Sequence, residues 1–396
     1  MPIGISFFTF TQIAFLVDAF QGKAREFRFT YYVLFVTYFP HLIAGPVLHH
    51  KEMMPQFDIA RNYQPRLANF QIGLVIFIIG LAKKVLLADS LAGYAAPVFA
   101  SGSTPGLFTA WGGVLAYSFQ LYFDFSGYSD MAIGLSRMFG VKLPLNFNSP
   151  YKATNITEFW RRWHMTLSRF LRDYLYIPLG GNRHGPWRRQ FNLAVTMLLG
   201  GLWHGAGWNF VIWGGLHGFY LVANHGWKDL KRRLGWSGGG PLAAVSGVLL
   251  TFTCVNVAWV FFRAPDLGSA LSVLGGLVGV HGAALPAAIL SRLEFLHPFT
   301  QALHIGSFLG GGGQFVGNYL WVAAAAFIAF AFPNTQELLR RYAPALQDSR
   351  QSARPDFALL ALRWKPTPGW ALFIGLLGAA GLLSLTRPSE FLYFQF

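Results

Sequence analysis

Residues 200–218 read GGLWHGAGWNFVIWGGLHG, and the stretch joins two long apolar runs. It holds seven glycines, three tryptophans and two histidines, and it has no charged side chain. Gly201 and Gly205 lie four residues apart, and the spacing recurs later in the stretch; small residues at this spacing let helices approach closely inside a membrane. The stretch therefore predicts two packed helical spans, near 190–206 and 208–225.

The composition of the whole chain agrees with a membrane environment. Of the 396 residues, 54% are hydrophobic and 12% are charged, whereas a soluble domain carries about 25% charged residues. The mean hydropathy is +0.40, and aromatic residues reach 17%. The only cysteine, Cys254, lies inside an apolar run, which excludes an intrachain disulfide and a cysteine-based metal cage.

Apolar runs long enough to cross a bilayer recur along the chain. A hydrocarbon core about 30 Å thick needs roughly 20 apolar residues as helix, and the runs predict an all-α polytopic protein with about nine or ten transmembrane or re-entrant helices. The predicted spans are 3–20, 31–48, 70–90, 107–123, 190–206, 208–225, 242–263, 315–333 and 369–386, with 266–290 as a further span or a re-entrant piece. The polar stretch 334–368 predicts a cytoplasmic loop with a short helix. We expect 1–396 to form a single transmembrane domain.

The positive charge of the chain lies mainly in short loops between these runs. The net charge is +15, and KAREFR (23–28), RHGPWRR (183–189) and KDLKRR (228–233) each flank an apolar span. Basic loops beside spans follow the positive-inside rule and attract anionic lipid. They predict membrane lipids, and not nucleic acid, as the partner of this charge.

The stretch 154–177 has a different pattern, which predicts an amphipathic helix at the membrane interface. At 100° per residue its large apolar side chains, such as Phe159 and Trp163, fall on one face. The opposite face carries Arg161, Arg162, Arg169 and Arg172. Asn155 or Thr157 is the expected N-cap. His164 lies at the border of the two faces, so the helix either rests on lipid or covers a site with His164 directed inward.

His204 and His217 have three possible roles. Ionisable residues within a membrane are functional candidates, but each histidine can also serve as a hydrogen-bonding residue between helices. Their separation of 13 residues and the absence of an HExxH motif give no reason to predict a metal site. In a low-dielectric pocket a neutral imidazole can act as a general base. No GxSxG motif is present, so acyl transfer would proceed by direct attack of an acceptor hydroxyl.

Several motifs together resemble the membrane-bound O-acyltransferase (MBOAT) family, in its bacterial branch of AlgI-like alginate O-acetylases and DltB-like D-alanyl transfer proteins. The similar segments are PIGISFFTFTQIAFLVDAF, YFPHLIAGPV, YFDFSGYSDMAIGLSRMFG, NFNSPYKATNITEFWRRWHMTLSRFLRDYLYIPLGG, LLGGLWHGAGWNFVIWGGLHG and FLYFQF. The resemblance covers nearly the whole chain. Members of this branch carry further residues ahead of PIGISFFTF, so the resemblance implies that the first family helices are missing here.

The resemblance implies a fold with tilted helices around a central tunnel, and it assigns roles to particular residues. His204, in LWHG, matches the catalytic histidine of the family, and His164 matches the second commonly cited position, so we expect His164 to be the partner of His204. In that role His164 would orient the donor carbonyl or stabilise the oxyanion. Further candidates for the substrate site or tunnel are Trp203, Trp163, Asn209, His217, Asp124 and Arg161. We expect Asp124 and Asp130 to be structural partners of Ser, Tyr or Arg groups.

The implied activity is O-acetylation of an exported polysaccharide such as alginate by a multi-pass protein of the bacterial inner membrane. The resemblance implies no bound cofactor and a thioester donor, acetyl-CoA or another acyl thioester such as an acyl-carrier protein. It also implies a separate periplasmic acetyltransferase partner of the AlgJ or AlgX type. The alternatives are O-acylation of peptidoglycan or teichoic acid, and an acyl transporter without chemistry.

Overall fold

The regular structure of the chain is almost entirely helical, which confirms the all-α prediction. A computed structural model describes residues 5–24, 26, 28–42, 45–236, 239–292, 295, 297–346, 362–386 and 392. The helices are α1 (Ile5–Phe20), α2 (Phe29–Thr37), α3 (His50–Phe57), α4 (Leu67–Ala82), α5 (Asp89–Ala95), α6 (Leu107–Met138), α7 (Ile156–Trp160), α8 (Met165–Leu171), α9 (Gly185–His204), α10 (Trp208–Arg233), α11 (Pro241–Arg263), α12 (Leu267–Leu277), α13 (Ala287–Leu290), α14 (His297–Ala302), α15 (Gly312–Ala331), α16 (Thr335–Leu338) and α17 (Pro368–Ser384). Two three-residue strands, β1 (Ala284–Pro286) and β2 (Gly306–Phe308), pair in parallel.

Three helical stretches in the described part of the chain are long and apolar enough to cross a membrane. They are Leu67–Ala95, Pro241–Arg263 and Gly312–Ala331. The first is continuous because a π-helical turn at Lys83–Ala88 joins α4 to α5. Shorter apolar helices lie at Phe8–Phe20 and Pro368–Ser384. The predicted spans 70–90, 242–263 and 315–333 thus lie on long apolar helices.

Three other predicted boundaries differ from the structure. The predicted span 31–48 is wrong as a single helix, because α2 ends at Thr37 and Pro40 in the next turn lacks the N–H that a helix interior requires. The helix predicted over 107–123 continues to Met138 as α6. Within 266–290 the helix α12 has 11 residues, about 16 Å of helix, which is too short to span a bilayer.

The described residues group into two compact units, and the single transmembrane domain over 1–396 stays a prediction. The first unit draws on Met1–Leu86, Phe123–Asn192 and Ala329–Gln395, and the second on Leu87–Tyr122 and Leu193–Ile328. Neither unit is one contiguous stretch, and the divisions fall inside helices. Changes of composition along the sequence therefore do not mark the boundaries between the two units.

The first unit is held together by close helix packing. A Cβ atom on Gly80 would lie 2.6 Å from the carbonyl oxygen of Gly127, and one on Gly73 would lie 2.5 Å from that of Gly134. These glycines let the backbones of α4 and α6 approach to a distance that no larger residue permits. Helix α17 packs against α4, with Gly378 of α17 close to Ile78.

The second unit contains the glycine-rich stretch 200–218. A Cβ on Gly201 would collide with the carbonyl oxygen of Phe210, and one on Gly214 would collide with that of Met197. The glycines of 200–218 thus permit the close approach of α9 and α10 that their spacing predicts. Helix α10 also packs against α11.

The stretch 154–177 is not the single amphipathic helix that its pattern predicts. It consists of α7, a break over 161–164, α8, and a π-helical turn at Arg172–Tyr176. Asn155 caps α7 by accepting a hydrogen bond from the backbone N–H of Glu158, as predicted. The break arises because backbone groups on either side of His164 bond to residues 146–148 instead of to the next turn.

The predicted loop 334–368 begins with a short helix, α16. Asn334 and Glu337 form a capping box there, and Leu346 donates a backbone hydrogen bond to Leu143. Residues 347–361 lie outside the described residues, as does most of the closing FLYFQF. The cytoplasmic position of this loop stays a prediction.

Candidate active site

His204 is the last residue of α9, and three aromatic rings surround it. Its imidazole centroid lies 4.6 Å from Trp203, 5.2 Å from Trp213 and 5.1 Å from Phe262. The ring planes meet at steep angles, so the imidazole contacts aromatic edges and faces. His204 is only 8% exposed. The second unit thus places the predicted catalytic histidine in an apolar, aromatic pocket.

His217 and Asn209 lie in the same unit and are also buried. The indole of Trp213 contacts both histidines, at 5.2 Å from the His204 ring and 4.9 Å from the His217 ring. Nothing in the sequence predicted one indole in contact with both histidines. Asn209 Nδ2 donates a hydrogen bond of 2.9 Å to the carbonyl of Ala264. It therefore ties the start of α10 to the end of α11.

His164 lies in the first unit, inside the break between α7 and α8. Its backbone is left-handed, with φ 42° and ψ 54°, a conformation that costs a residue with a side chain about 1–3 kcal/mol. Its side chain is 2% exposed, and its ring meets Phe125 edge-on at 4.7 Å. Nδ1 lies 3.0 Å from Oδ1 of Asn146. The structure thus directs His164 into the protein and not toward lipid.

The other candidates on 154–177 differ in exposure. Trp163 is buried and stacks on Phe159 at 5.6 Å, so it packs the interior of the first unit. Arg161 is exposed. Arg162, which the helical wheel placed on the cationic face, is instead buried and bonds to Glu158. The face available to lipid is therefore smaller than predicted.

Glu158 shows how strongly this local network holds an ionised group. Burial raises the pKa of its carboxyl. Hydrogen bonds from the backbone and hydroxyl of Thr154 and from Arg162 outweigh burial, and the net effect lowers the pKa below its ordinary value. Because this folded-state pKa is lowered, Glu158 contributes stability at neutral pH that is lost as the pH falls through that pKa.

Asp124 and Asp130 pair with two lysines that the sequence interpretation overlooked. Lys84 Nζ lies 2.6 Å from Asp124, and Lys83 Nζ lies 2.6 Å from Asp130. Thr335 also donates its hydroxyl to Asp130, at 2.6 Å. The prediction of Ser, Tyr or Arg partners was therefore wrong about the cation. Lys83 and Lys84 are adjacent and lie inside an apolar run. Because a charge in a membrane span is costly without a partner, their position could have predicted that they pair with carboxylates.

A second polar cluster lies in the first unit, at the end of α1. Oδ2 of Asp18 is 3.0 Å from Nε2 of His50 and 2.9 Å from Nζ of Lys51. The ligand-type atoms of Asp18, His49 and His50 lie within 4.8 Å of one another. However, Nδ1 of His49 accepts the backbone N–H of Lys51 at 3.3 Å. Its Nε2 then carries the proton and is directed at Tyr174, 2.8 Å away.

This geometry describes a hydrogen-bonded carboxylate more closely than a metal site, because an ammonium already contacts the carboxylate. Burial lowers the pKa of His49 to about 4, and the cations nearby act in the same direction. A neutral His49 is consistent with its role as an acceptor toward Lys51. The cluster therefore lies outside the chemistry that we assign to His204 and His164.

The two predicted catalytic histidines share three properties that suit proton transfer. Each is buried, each contacts an aromatic ring, and each lies where a helix ends or breaks. A buried imidazole surrounded by apolar groups favours its neutral form, which can accept a proton at pH 7. Their mutual pairing stays a prediction, because His204 belongs to the second unit and His164 to the first.

Comparison with known proteins gives consistent matches along the chain. The model of the membrane-bound O-acyltransferase family matches residues 10–255. A peptidoglycan O-acetyltransferase of Helicobacter pylori is 48% identical over 322 residues, which cover 75% of this chain and 60% of that protein. A probable alginate O-acetylase AlgI of Pseudomonas putida is 39% identical over 399 residues, which cover 100% of this chain and 75% of that protein.

A more distant match is a teichoic acid D-alanyltransferase of Streptococcus thermophilus, 29% identical over 280 residues, or 66% of this chain and 68% of that protein. The chain thus spans 60% of the Helicobacter relative and larger shares of the other two. The motifs quoted from the sequence and the family model lead to one assignment. The chain belongs to the membrane-bound O-acyltransferase family.

Proposed function

We propose that this chain is a membrane O-acetyltransferase that moves an acetyl group from a thioester donor to a hydroxyl of an exported polysaccharide such as alginate. The observation that carries the proposal is His204, buried at the end of α9 within three aromatic rings. The names of the relatives, alginate O-acetylase and peptidoglycan O-acetyltransferase, support acetyl as the group transferred.

In the proposed reaction His204 is the general base. It takes the proton of the acceptor hydroxyl as that oxygen attacks the carbonyl carbon of the thioester. The C–S bond breaks, the thiolate receives the proton from His204, and the products are an ester and a free thiol. A positioned base contributes roughly 10²–10⁴-fold to such a step.

The aromatic rings around His204 have a function in this scheme. Trp203, Trp213 and Phe262 lie close enough to the imidazole to leave little room for water beside it. Exclusion of water protects a thioester from hydrolysis and favours transfer to the acceptor. The donor is acetyl-CoA or an acyl-carrier protein, and no bound cofactor is needed.

The cellular setting belongs to the same proposal. The apolar helices and the basic loops support a location in a bacterial inner membrane, with anionic lipid beside the loops. A donor made in the cytoplasm and a polysaccharide acceptor outside it imply a periplasmic acetyltransferase partner of the AlgJ or AlgX type.

The test is acetyl transfer by the purified chain in lipid nanodiscs, with acetyl-CoA as donor and an alginate oligosaccharide as acceptor. His204→Gln keeps the size of the side chain and removes the base, and we expect it to lower the rate at least about 100-fold. His184→Gln, at an exposed histidine, is the matched control and should retain the wild-type rate.

Equal rates for His204→Gln and wild type would rule out general-base catalysis by His204. If His204→Gln reconstituted in sealed liposomes still moved labelled acetyl groups across the bilayer, the protein would be a transporter without chemistry. Parallel reactions with peptidoglycan fragments and with lipoteichoic acid as acceptors distinguish the alternative substrates. Transfer to one of these and not to alginate would replace alginate as the acceptor.

A further inference from the structure

We propose that Asn146 is a positioning residue that fixes the tautomer of His164, so that Nε2 of His164 accepts a hydrogen bond from a non-reacting hydroxyl of the acceptor sugar. This inference rests on the proposed function, because it concerns the second histidine of the same reaction. It changes the role expected for His164, which the family resemblance implied to be orientation of the donor carbonyl or stabilisation of the oxyanion.

The backbone of Asn146 holds the segment that carries His164. The carbonyl of Asn146 accepts the N–H of Met165 at 3.0 Å, and the N–H of Asn148 donates to the carbonyl of Arg162 at 2.9 Å. These two hydrogen bonds flank His164 on both sides. They hold its backbone in the left-handed conformation and set the direction of its side chain.

The orientation of the Asn146 amide follows from its other partners. The backbone N–H of Thr166, which can only donate, points to Oδ1 at 3.4 Å. The hydroxyl of Thr166 accepts the N–H of Val47 at 2.9 Å, so its own proton goes to Oδ1 at 3.0 Å. Nδ2 donates to the hydroxyl of Ser129 at 3.2 Å. The atom that faces His164 is therefore the oxygen and not the nitrogen.

An amide oxygen accepts and cannot donate, so Nδ1 of His164 carries the proton. In the neutral ring Nε2 then holds the lone pair. A lone pair cannot donate a hydrogen bond to a carbonyl oxygen or to an oxyanion. His164 becomes such a donor only after Nε2 has taken up a proton.

This tautomer identifies which substrate His164 can hold. The reacting carbonyl and sulfur of a thioester have no proton to offer. An acceptor sugar carries further hydroxyls besides the one that His204 deprotonates, and the proton of such a hydroxyl matches the lone pair of Nε2. We therefore assign His164 to a non-reacting hydroxyl of the acceptor, with Asn146 keeping its acceptor nitrogen in place.

The kinetic test compares Asn146→Leu with Asn146→Asp. Leucine has a similar volume but no acceptor atom, and we expect kcat for transfer to the oligosaccharide to fall about 100-fold because the acceptor is misplaced, with KM for acetyl-CoA unchanged. Aspartate keeps the acceptor oxygens, and Ser129 can reverse its hydroxyl to donate to it, so Asn146→Asp should restore most of the rate. Asn256→Leu removes another fully buried amide, bonded to Ser118, and should lower stability without this loss of kcat.

The spectroscopic test reads the tautomer itself from ¹⁵N NMR of histidine-labelled protein. The chain has 11 histidines, and His164→Asn identifies the signals of His164 by their loss. We expect the Nδ1–H tautomer in wild type and a shift toward Nε2–H in Asn146→Leu. If Asn146→Leu does not fold, Thr166→Val removes one of the donors that orient the amide and should give a mixture of tautomers.

The outcomes separate this inference from the proposed function. If His204→Gln is inactive while Asn146→Leu keeps full kcat and the wild-type tautomer, the transferase proposal stands and Asn146 is not a positioning residue. An Nε2–H tautomer in wild type would also overturn the inference. If His204→Gln is fully active, the proposed function fails, while the NMR measurement still decides whether Asn146 sets the proton position on His164.

Discussion

At the scale of single residues, the left-handed backbone of His164 is the feature that the sequence does not reveal. Residues with side chains rarely adopt this conformation, and Asn tolerates it better than most because its side chain can bond locally. A helical wheel over 154–177 assumes one continuous helix, so it placed His164 at a border and Arg162 on a lipid face. The hydrogen bonds to 146–148 replace the helix there, and they join residues distant in the sequence.

We expect His164→Val to be less stable than His164→Asn by about 1–3 kcal/mol, because a β-branched side chain is strained at φ 42°. The measurement is the free energy of unfolding in detergent. Both variants lose the imidazole, so the loss of its hydrogen bond to Asn146 cancels in the comparison. Equal stabilities for the two would contradict the left-handed geometry.

At the scale of helices, the sequence predicted contacts where small residues explained them. The glycine spacing of 200–218 indicated close packing of α9 and α10, and the carbonyl oxygens of Phe210 and Met197 lie where a Cβ at Gly201 or Gly214 would be. Hydropathy alone was less reliable. It gave a span over 31–48 because it does not register that Pro40 interrupts the helix.

We expect Gly214→Ala to lower the free energy of unfolding by about 1–3 kcal/mol, the usual range for overpacking a tight contact. The matched control is Gly226→Ala on the same helix, where nothing lies within 4 Å of an added Cβ. That substitution should raise stability by about 0.5–1 kcal/mol, because alanine favours helix more than glycine does. Thermal unfolding of the two variants in the same detergent measures both values. A stabilising Gly214→Ala would refute the close crossing.

At the scale of the whole molecule, the sequence gives the total charge, but only the fold shows which charges pair and which segments pack together. The net charge of +15 identifies the basic loops, but it does not show that Lys83 and Lys84 are paired inside the first unit. The units themselves are assembled from separate segments, so no linker marks them. The catalytic histidine His204 was predictable from its motif, whereas its neighbour Phe262, 58 residues later, required the fold.

We expect Asp124→Asn to lower the free energy of unfolding by about 3–5 kcal/mol, because it removes the carboxylate from a lysine ammonium that is only 5% exposed. The double variant Lys84→Met with Asp124→Leu should be more stable than Asp124→Asn, since no buried charge remains. Asp229→Asn breaks an exposed pair with Arg232 and should cost less than about 1 kcal/mol. Similar losses at Asp124 and Asp229 would show that the buried pair does not stabilise the fold.

The π-helical turn at Lys83–Ala88 determines how the long span Leu67–Ala95 presents its side chains. A π turn bonds each N–H to the carbonyl five residues back and accommodates one residue more than an α-helical turn. Side chains after the turn are therefore rotated by about 100° from the positions that an uninterrupted helix would give them. The residues of 89–95 that continue a helix face defined over 67–82 are therefore shifted by one sequence position from those that a regular α-helix would place there. A single-residue deletion within the turn would restore the regular phase and rotate everything that follows it along the helix.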